Sequence, residues 1–147
     1  MKKINTGLLK LSRILITIAT LVYGFVPLLV DLTETHVFHP DWTPHARFHM
    51  VWLLATNTSL ALVSLYLLWL SRFDTLTRVR AAGVLGLCAL GGFFISLITK
   101  NLYGGALVDP HGGVPPIMGL DANLVVFTPM LLLVVIGLFL SFGSNKN

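Results

Sequence analysis

Four long apolar segments divide the chain, and each is close to the length needed to cross a lipid bilayer. They cover residues 14–30, 50–70, 81–99 and 122–142, with polar connections between them. A helix needs about 20 apolar residues to span the hydrocarbon core, where only helices and closed barrels can satisfy all their backbone hydrogen bonds. The period-two alternation of barrel strands is absent from these segments. The pattern therefore predicts an all-α integral membrane protein.

The boundaries of these segments indicate how the helices should be arranged. We expect helices over about residues 12–30, 44–71, 78–100 and 121–142, so that residues 1–147 form a single transmembrane domain. Because the connections are of modest length, each helix should run antiparallel to the next. The expected architecture is an up-down-up-down four-helix bundle.

The distribution of basic residues predicts which side of the membrane each connection occupies. Cytoplasmic connections are enriched in lysine and arginine. Eight of the ten basic residues fall on the side of the two termini: Lys2, Lys3, Lys10, Arg13, Arg72, Arg78, Arg80 and Lys146. Only Arg47 and Lys100 fall on the other side. We therefore expect both termini in the cytoplasm, and the first and third connections on the periplasmic, extracellular or lumenal side.

Composition supports a lipid environment and excludes one other class. Hydrophobic residues make up 55% of the chain and charged residues only 11%, with a mean hydropathy of +0.84. The net charge of +4 could suggest nucleic-acid binding, but the basic residues flank apolar segments instead of lining a polar face. No small-residue cleavage site follows the first apolar segment, so we expect a retained helix and not a secretory signal.

The first connection concentrates the polar chemistry of the chain. Residues 31–50 contain four of the five histidines and three of the six acidic residues. The fifth histidine, His111, lies in the third connection beside Asp109, in a glycine- and proline-rich segment that should be irregular. We expect this segment to fold over the histidines as a lid, with Asp109 lining a pocket.

The second helix has the clearest predicted start. Thr43 suits the N-cap and Pro44 the first helical position. His45 and His49 are then one turn apart on one helical face. The same face continues as a polar seam through three residues expected to line the pocket, namely Trp52, Thr56 and, beside them, Asn57. Polar groups in hydrocarbon usually face protein or a water-filled cavity, so we expect this seam to face the bundle interior.

One chemistry that fits these residues is a transition-metal site. Neutral imidazole is a ligand for Zn, Fe or Cu, and the candidate ligands are His36, His39, His45, His49 and His111. The helical metalloprotease motif requires Glu directly after its first histidine, where this chain has Ala46. The pattern therefore leaves open whether a metal binds and which one.

A second chemistry is metal-free acid–base catalysis on a lipophilic molecule that enters from the bilayer. Imidazole is the side chain whose unperturbed pKa lies closest to neutrality, so His45 and His49 are candidate proton carriers. A stripe of small and hydroxylated residues on the first helix, when continued past Pro27, brings Asp31 and Glu34 toward the bundle. Either carboxylate could orient an imidazole or stabilise a cation.

The third possibility is a non-catalytic role. The histidines could form a hydrogen-bonded plug that fixes the outer loops, or a contact surface within a homo-oligomer or a larger membrane complex. The aromatic residues nearby have an equally simple explanation as an interfacial belt.

The sequence from Glu34 to His49, ETHVFHPDWTPHARFH, resembles a known protein family. It is similar to an uncharacterised family of small four-helix integral membrane proteins with a T-H-V…P-x-W-x-P-H-A-[RK]-F-H motif. The resemblance implies the four-span fold and does not imply an activity. Since the position of His39 is not fixed as histidine in that motif, the resemblance favours His36, His45 and His49 as the working trio.

Together these patterns predict a membrane protein with a His/carboxylate site at the non-cytoplasmic face. The leading hypothesis is a small enzyme acting on a lipophilic small molecule by metal-assisted or acid–base chemistry. The alternative is a non-catalytic membrane subunit or a small-molecule binding protein.

Overall fold

A computed structural model describes residues 4–108 and 114–144 of the chain. These residues form four α-helices and no β-strand, which confirms the predicted all-α fold: α1 Thr6–Asp31, α2 Pro44–Leu65, α3 Thr75–Thr99 and α4 Ala122–Gly143. A π-helical turn, Tyr66–Leu70, extends α2, and a 3-10 turn, Lys100–Leu102, extends α3.

Each helix is long and apolar enough to span a membrane. Together with their short extensions, the four have mean hydropathies between 1.7 and 2.7 over their most apolar windows. Large apolar side chains such as Leu29, Ile98 and Phe139 are at least three-quarters exposed on the outer surface of the bundle. Such a surface is stable in hydrocarbon and not in water. The chain is therefore suited to be a multi-pass membrane protein.

Side-chain caps determine where the helices begin. The Thr43 hydroxyl accepts a hydrogen bond from the backbone N–H of Ala46 at 3.2 Å, which confirms the predicted N-cap of α2. Asn5 and Asp74 cap α1 and α3 in the same way. Because these caps lie before the apolar segments, α1 and α3 begin several residues earlier than the hydropathy pattern indicates.

α1 runs antiparallel to α2 and to α4, as hydrogen bonds between these helices show. The Ser12 hydroxyl near the start of α1 donates to the Gly137 carbonyl near the end of α4 at 2.6 Å. The Thr58 hydroxyl of α2 donates to the Gly24 carbonyl of α1 at 2.9 Å. α1 packs against α2, α3 and α4, and α3 packs against α2 and α4. The four helices therefore enclose a common interior.

Glycines allow α1 and α2 to approach closely. A Cβ atom at Gly24 would overlap with the Cβ of Ala61 on α2. One residue earlier, the Tyr23 hydroxyl lies 3.2 Å from the Ser64 hydroxyl in the buried interior. This contact fixes the rotation of α2 about its axis and places Leu54, Ala61 and Ser64 on its buried face.

At the end of the bundle that carries residues 71–74, arginines bind the exposed carbonyl groups of helix ends. Arg13 donates to the Leu68 carbonyl at 2.6 Å, and Arg80 donates to the Ser141 carbonyl at 3.0 Å. The Arg80 guanidinium also lies 4.3 Å from the centre of the Phe142 ring. A cation near a helix C-terminus interacts favourably with the helix dipole. These basic residues therefore contribute to packing as well as to charge asymmetry.

Candidate functional site

A cavity of about 320 Å³ lies in the interior shared by the four helices. We call it the inner chamber. Most of its surface is apolar, and its lining residues come from every helix: Tyr23, Pro27, Asp31, Leu53, Leu54, Asn57, Ala89, Leu90, Gly92, Phe93, Ser96 and Phe127. The few polar groups are therefore the ones that could orient a bound molecule.

A second cavity of about 230 Å³ lies toward the end of the bundle that carries the first and third connections. We call it the outer vestibule. Its walls are more polar, and they include His36, Lys100, Tyr103 and Asn123. Asp31, Phe93 and Ser96 line both cavities, so the vestibule and the chamber adjoin at these residues.

The Asp31 carboxyl group and the His36 imidazole lie beside each other at this junction. The Nε2 atom of His36 lies 3.8 Å from Oδ1 of Asp31, and both side chains are mostly buried. The Nδ1 atom of His36 lies 2.9 Å from the hydroxyl of Thr35, and the imidazole also contacts the edge of the Trp42 ring. Both ring nitrogens therefore have a polar neighbour, which fixes the orientation of the imidazole.

The short loop after α1 brings His36 back to Asp31. The Val37 N–H donates to the Asp31 carbonyl at 3.1 Å, and the N–H groups of His36 and Phe38 both donate to the Thr33 carbonyl. Val37 is buried, with 4% of its surface exposed, and anchors this turn in the bundle. α1 thus ends at Asp31, and the chain reverses so that the carboxylate and the imidazole meet.

The inner chamber has exposed residues on its wall between α2 and α3. Leu53 of α2 is half exposed, and Gly92 and Ser96 of α3 are exposed. A Cβ atom added at Gly92 would meet no heavy atom of the described residues within 4 Å. The chamber is therefore lined on this side by residues that also reach the surface of the bundle, and we call this part of its wall the α2–α3 portal.

The polar seam of α2 has a different orientation from the one expected. His45, His49, Trp52 and Thr56 are all exposed, so the expectation that this face lines the bundle interior is wrong. The close contact of α1 with Ala61 turns α2 so that the next face points inward. Of the predicted pocket-lining residues on this helix, only Asn57 lines the inner chamber.

His45 and His49 form a pair of their own on the outer face of α2. Their Nε2 atoms are 3.0 Å apart, and the His49 ring stacks on the Trp52 ring with centres 5.9 Å apart. Neither histidine lines the inner chamber or the outer vestibule. The structure therefore separates this pair from His36, with which the sequence grouped it.

The remaining predicted site residues take no part in the two cavities or lie outside the described residues. Glu34 is exposed, because α1 ends before it. His39 is placed within its loop, where its carbonyl accepts a hydrogen bond from Arg47 at 2.7 Å and its Nδ1 accepts one from the Asp41 N–H. Asp109 and His111 lie outside the described residues.

No metal centre is formed by the part of the chain that the structure describes. Within residues 4–108 and 114–144, no three His, Cys, Asp or Glu side chains come close enough to hold a metal ion. The proposed trio of His36, His45 and His49 is not brought together there. The metal-ligand role predicted for the histidines stays a prediction.

Several residues of the site were missed by the sequence interpretation. Gly92 and Ser96 of α3 line the inner chamber and Lys100 lines the outer vestibule, but none of the three was among the candidate site residues. Their spacing of four residues, from Gly92 through Ser96 to Lys100, places them on one face of α3. That spacing was a usable signal, because it continues a polar line from the bilayer to the outer connections.

The fold and cavities define a class of small four-helix, multi-pass membrane proteins with an interior chamber. The chain belongs to the Family of unknown function (DUF6640), which it matches over residues 15–143. This agrees with the expectation of an uncharacterised family, while the motif proposed for it stays a prediction. No curated protein and no solved structure shows a significant match to the chain.

Proposed function

We propose that this chain is a membrane enzyme that takes a lipophilic small molecule into the inner chamber and exchanges a proton with it through Asp31 and His36. The observation that carries the proposal is the position of this pair. It lies where an apolar chamber meets a polar vestibule. A functional group held at that junction would be in reach of both side chains while the apolar part stays in the chamber.

The size and access of the chamber support a lipophilic ligand. A volume of about 320 Å³ falls in the range of about 300 to 1,000 Å³ that is usual for small-molecule sites. A water molecule occupies about 30 Å³ in the liquid and a methylene group a similar volume, so the chamber holds about ten methylene groups. The α2–α3 portal supports access from the hydrocarbon, without passage through water.

The Asp31–His36 pair supports acid–base chemistry. In its protonated form the imidazole can donate from Nε2 toward Asp31 and from Nδ1 toward Thr35. Catalytic contacts are often long in the free enzyme and shorten around substrate, so the separation of 3.8 Å suits a substrate atom that binds both groups. Isomerisation, cyclisation or hydrolysis of a lipophilic molecule would all use such a pair.

A metal-binding version of the proposal would use His45 and His49, as a site separate from the chamber. Two nitrogens bound at about 2.0 to 2.1 Å to one ion can lie as close as the 3.0 Å that separates the two Nε2 atoms. The ion would then be on the outer face of α2, away from the chamber. This version predicts Zn, Fe or Cu in the purified protein, which elemental analysis measures.

We also propose that both termini are cytoplasmic and that the vestibule opens on the opposite side. The basic residues support this orientation, since lysine and arginine concentrate on the cytoplasmic side of membrane proteins. Accessibility of single cysteines at the exposed positions Phe73 and Thr35 to an impermeant maleimide, in a Cys88→Ala background, tests it. Labelling of the Thr35 variant alone in intact cells is expected, and labelling of the Phe73 variant alone would overturn it.

Binding is tested with a dodecanol that carries a diazirine on its tail, added to the protein in lipid nanodiscs. Photolabelling is expected on α2 and α3 around the portal. Gly92→Leu should reduce this labelling several-fold, because the new side chain occupies the chamber wall. Gly91→Leu is the matched control, since a Cβ there also meets nothing within 4 Å and Gly91 does not line the chamber. Equal labelling of the two variants would refute the binding site.

Catalysis is tested without knowledge of the substrate. The protein is incubated in D₂O with a total lipid extract of the expression host, and deuterium gained by any lipid is measured by mass spectrometry. Wild type should deuterate at least one species, and Asp31→Asn and His36→Gln should not. If chamber labelling persists in all three proteins, no species gains deuterium and no species is consumed, the proposed catalysis is refuted and the binding role remains.

A further inference from the structure

The outer vestibule combines several hydrogen-bond donors at the open end of an apolar chamber. Lys100 contributes an ammonium group, Asn123 an amide and His36 an imidazole. The Asp31 carboxylate lies at the junction with the chamber and is paired with His36. Beyond this junction, Lys100 is therefore the charged side chain among the described residues of the vestibule wall.

From this arrangement we infer that the ligand is a single-chain amphiphile with an anionic head group, a carboxylate or a phosphate, which Lys100 binds in the outer vestibule. This inference rests on the proposed function and adds the class of substrate. The tail would occupy the inner chamber, and the bonds next to the head group would lie beside Asp31 and His36.

One helix end at the vestibule, the N-terminus of α4, favours an anion. Asn123 lies in the first turn of α4, whose N-terminus carries a partial positive charge. Lys100 lies at the end of α3, where the carbonyl of Lys100 itself is bound by the Gly105 N–H at 2.8 Å. That bond shapes the chain around the vestibule, since Ala106 and Leu107 of the same segment also line it.

The dimensions of the two cavities favour one chain over two. The inner chamber holds about ten methylene groups by volume, and the vestibule of about 230 Å³ holds a compact polar group. A two-chain phospholipid would have to leave its second chain outside the portal. A medium-length single chain fills the chamber and places its head group at Lys100.

The experiment is a competition against the photoreactive dodecanol in nanodiscs. Four competitors share one tail and differ in the head group: dodecanoic acid, dodecyl phosphate, dodecanol and dodecylamine. Because charge-assisted hydrogen bonds are stronger than neutral ones, the two anions should compete at about tenfold lower concentration than dodecanol. The preferred anion distinguishes a carboxylate substrate from a phosphate substrate.

Substitutions assign the preference to Lys100. Lys100→Gln should lower the affinity for both anions to that of dodecanol, and Lys100→Arg should retain most of the preference. The control is Lys10→Gln, which removes an exposed lysine near the N-terminus of α1, at the end of that helix far from the vestibule. Equal competition by all four compounds, with labelling still lost in Gly92→Leu, would overturn the inference and leave the proposed site intact. Labelling that does not depend on Gly92 would instead overturn the proposed function.

Discussion

The contact of Gly24 with Ala61 allows a prediction about the assembly of the bundle. Alanine in place of glycine within a helix normally stabilises it by about 1 kcal/mol. At Gly24 the added methyl group would overlap with the Ala61 methyl group, which has no rotamer to adopt. The helix backbones must then move apart, which weakens the hydrogen bond of 2.9 Å between Thr58 and the Gly24 carbonyl.

The magnitude follows from these opposing effects. Overpacking costs about 1 to 3 kcal/mol, and loss of one hydrogen bond costs about 1 kcal/mol. After subtraction of the gain in helix propensity, Gly24→Ala should lower the free energy of unfolding by about 2 kcal/mol. The measurement is equilibrium unfolding by SDS in mixed micelles, followed by the loss of helical circular dichroism.

A double-mutant cycle separates this explanation from a general effect of alanine. Ala61→Gly restores the space, so the pair Gly24→Ala with Ala61→Gly should show a favourable coupling of about 2 kcal/mol. Gly91→Ala is the control and should be neutral or stabilising, because its new Cβ meets nothing within 4 Å. If Gly24→Ala stabilises the protein as Gly91→Ala does, the proposed close packing of α1 on α2 is refuted.

Two further predictions concern the end of the bundle opposite the vestibule. Arg80→Gln should destabilise the protein by about 2 kcal/mol in the same unfolding assay, because it removes a charged hydrogen bond and the contact with Phe142. Arg72 is exposed, so the control Arg72→Gln should have little effect. The hydrogen bond from the Thr77 N–H lowers the pKa of Asp74 below its ordinary 3.8. The stabilising effect of the ionised Asp74 carboxylate is therefore present above about pH 3.8. It is lost as the pH falls through the lower folded-state pKa. The difference in unfolding midpoint between wild type and Asp74→Asn should shrink as the pH falls below about 3.8. A difference that stays constant over this pH range would contradict the prediction.

Much of the fold could be predicted because membrane helices are defined by local sequence. The hydropathy pattern predicted four helices, and the Thr43 cap and Pro44 located the start of α2. The starts of α1 and α3 were predicted too late, since Asn5 and Asp74 cap polar turns that the apolar pattern does not include. Hydropathy reports burial in lipid, whereas a cap depends on hydrogen bonds to the first turn.

The residues that line the two cavities were predicted only in part. Asp31, Asn57 and His36 were named as candidates, and all three line the cavities. His45 and His49 were correctly placed on one helical face, but the rotation of that face is set by the partner helix. α2 carries polar side chains on its outward face, such as Thr56, and also on its inward face, at Asn57 and Ser64. Polarity alone therefore gives no signal for which side of α2 faces the bundle.

The sequence by itself determined the class of the protein, the number of its helices and the connection that holds its polar chemistry, because these depend on segment length and residue type. Only the tertiary structure decided which of those polar residues share a cavity. Close contact at Gly24 turns α2 and directs His45 and His49 outward, while the turn after α1 returns His36 to Asp31. The first effect arises from packing between two helices, and the second from a chain reversal that the burial of Val37 holds in place. The hydropathy pattern encodes neither of them.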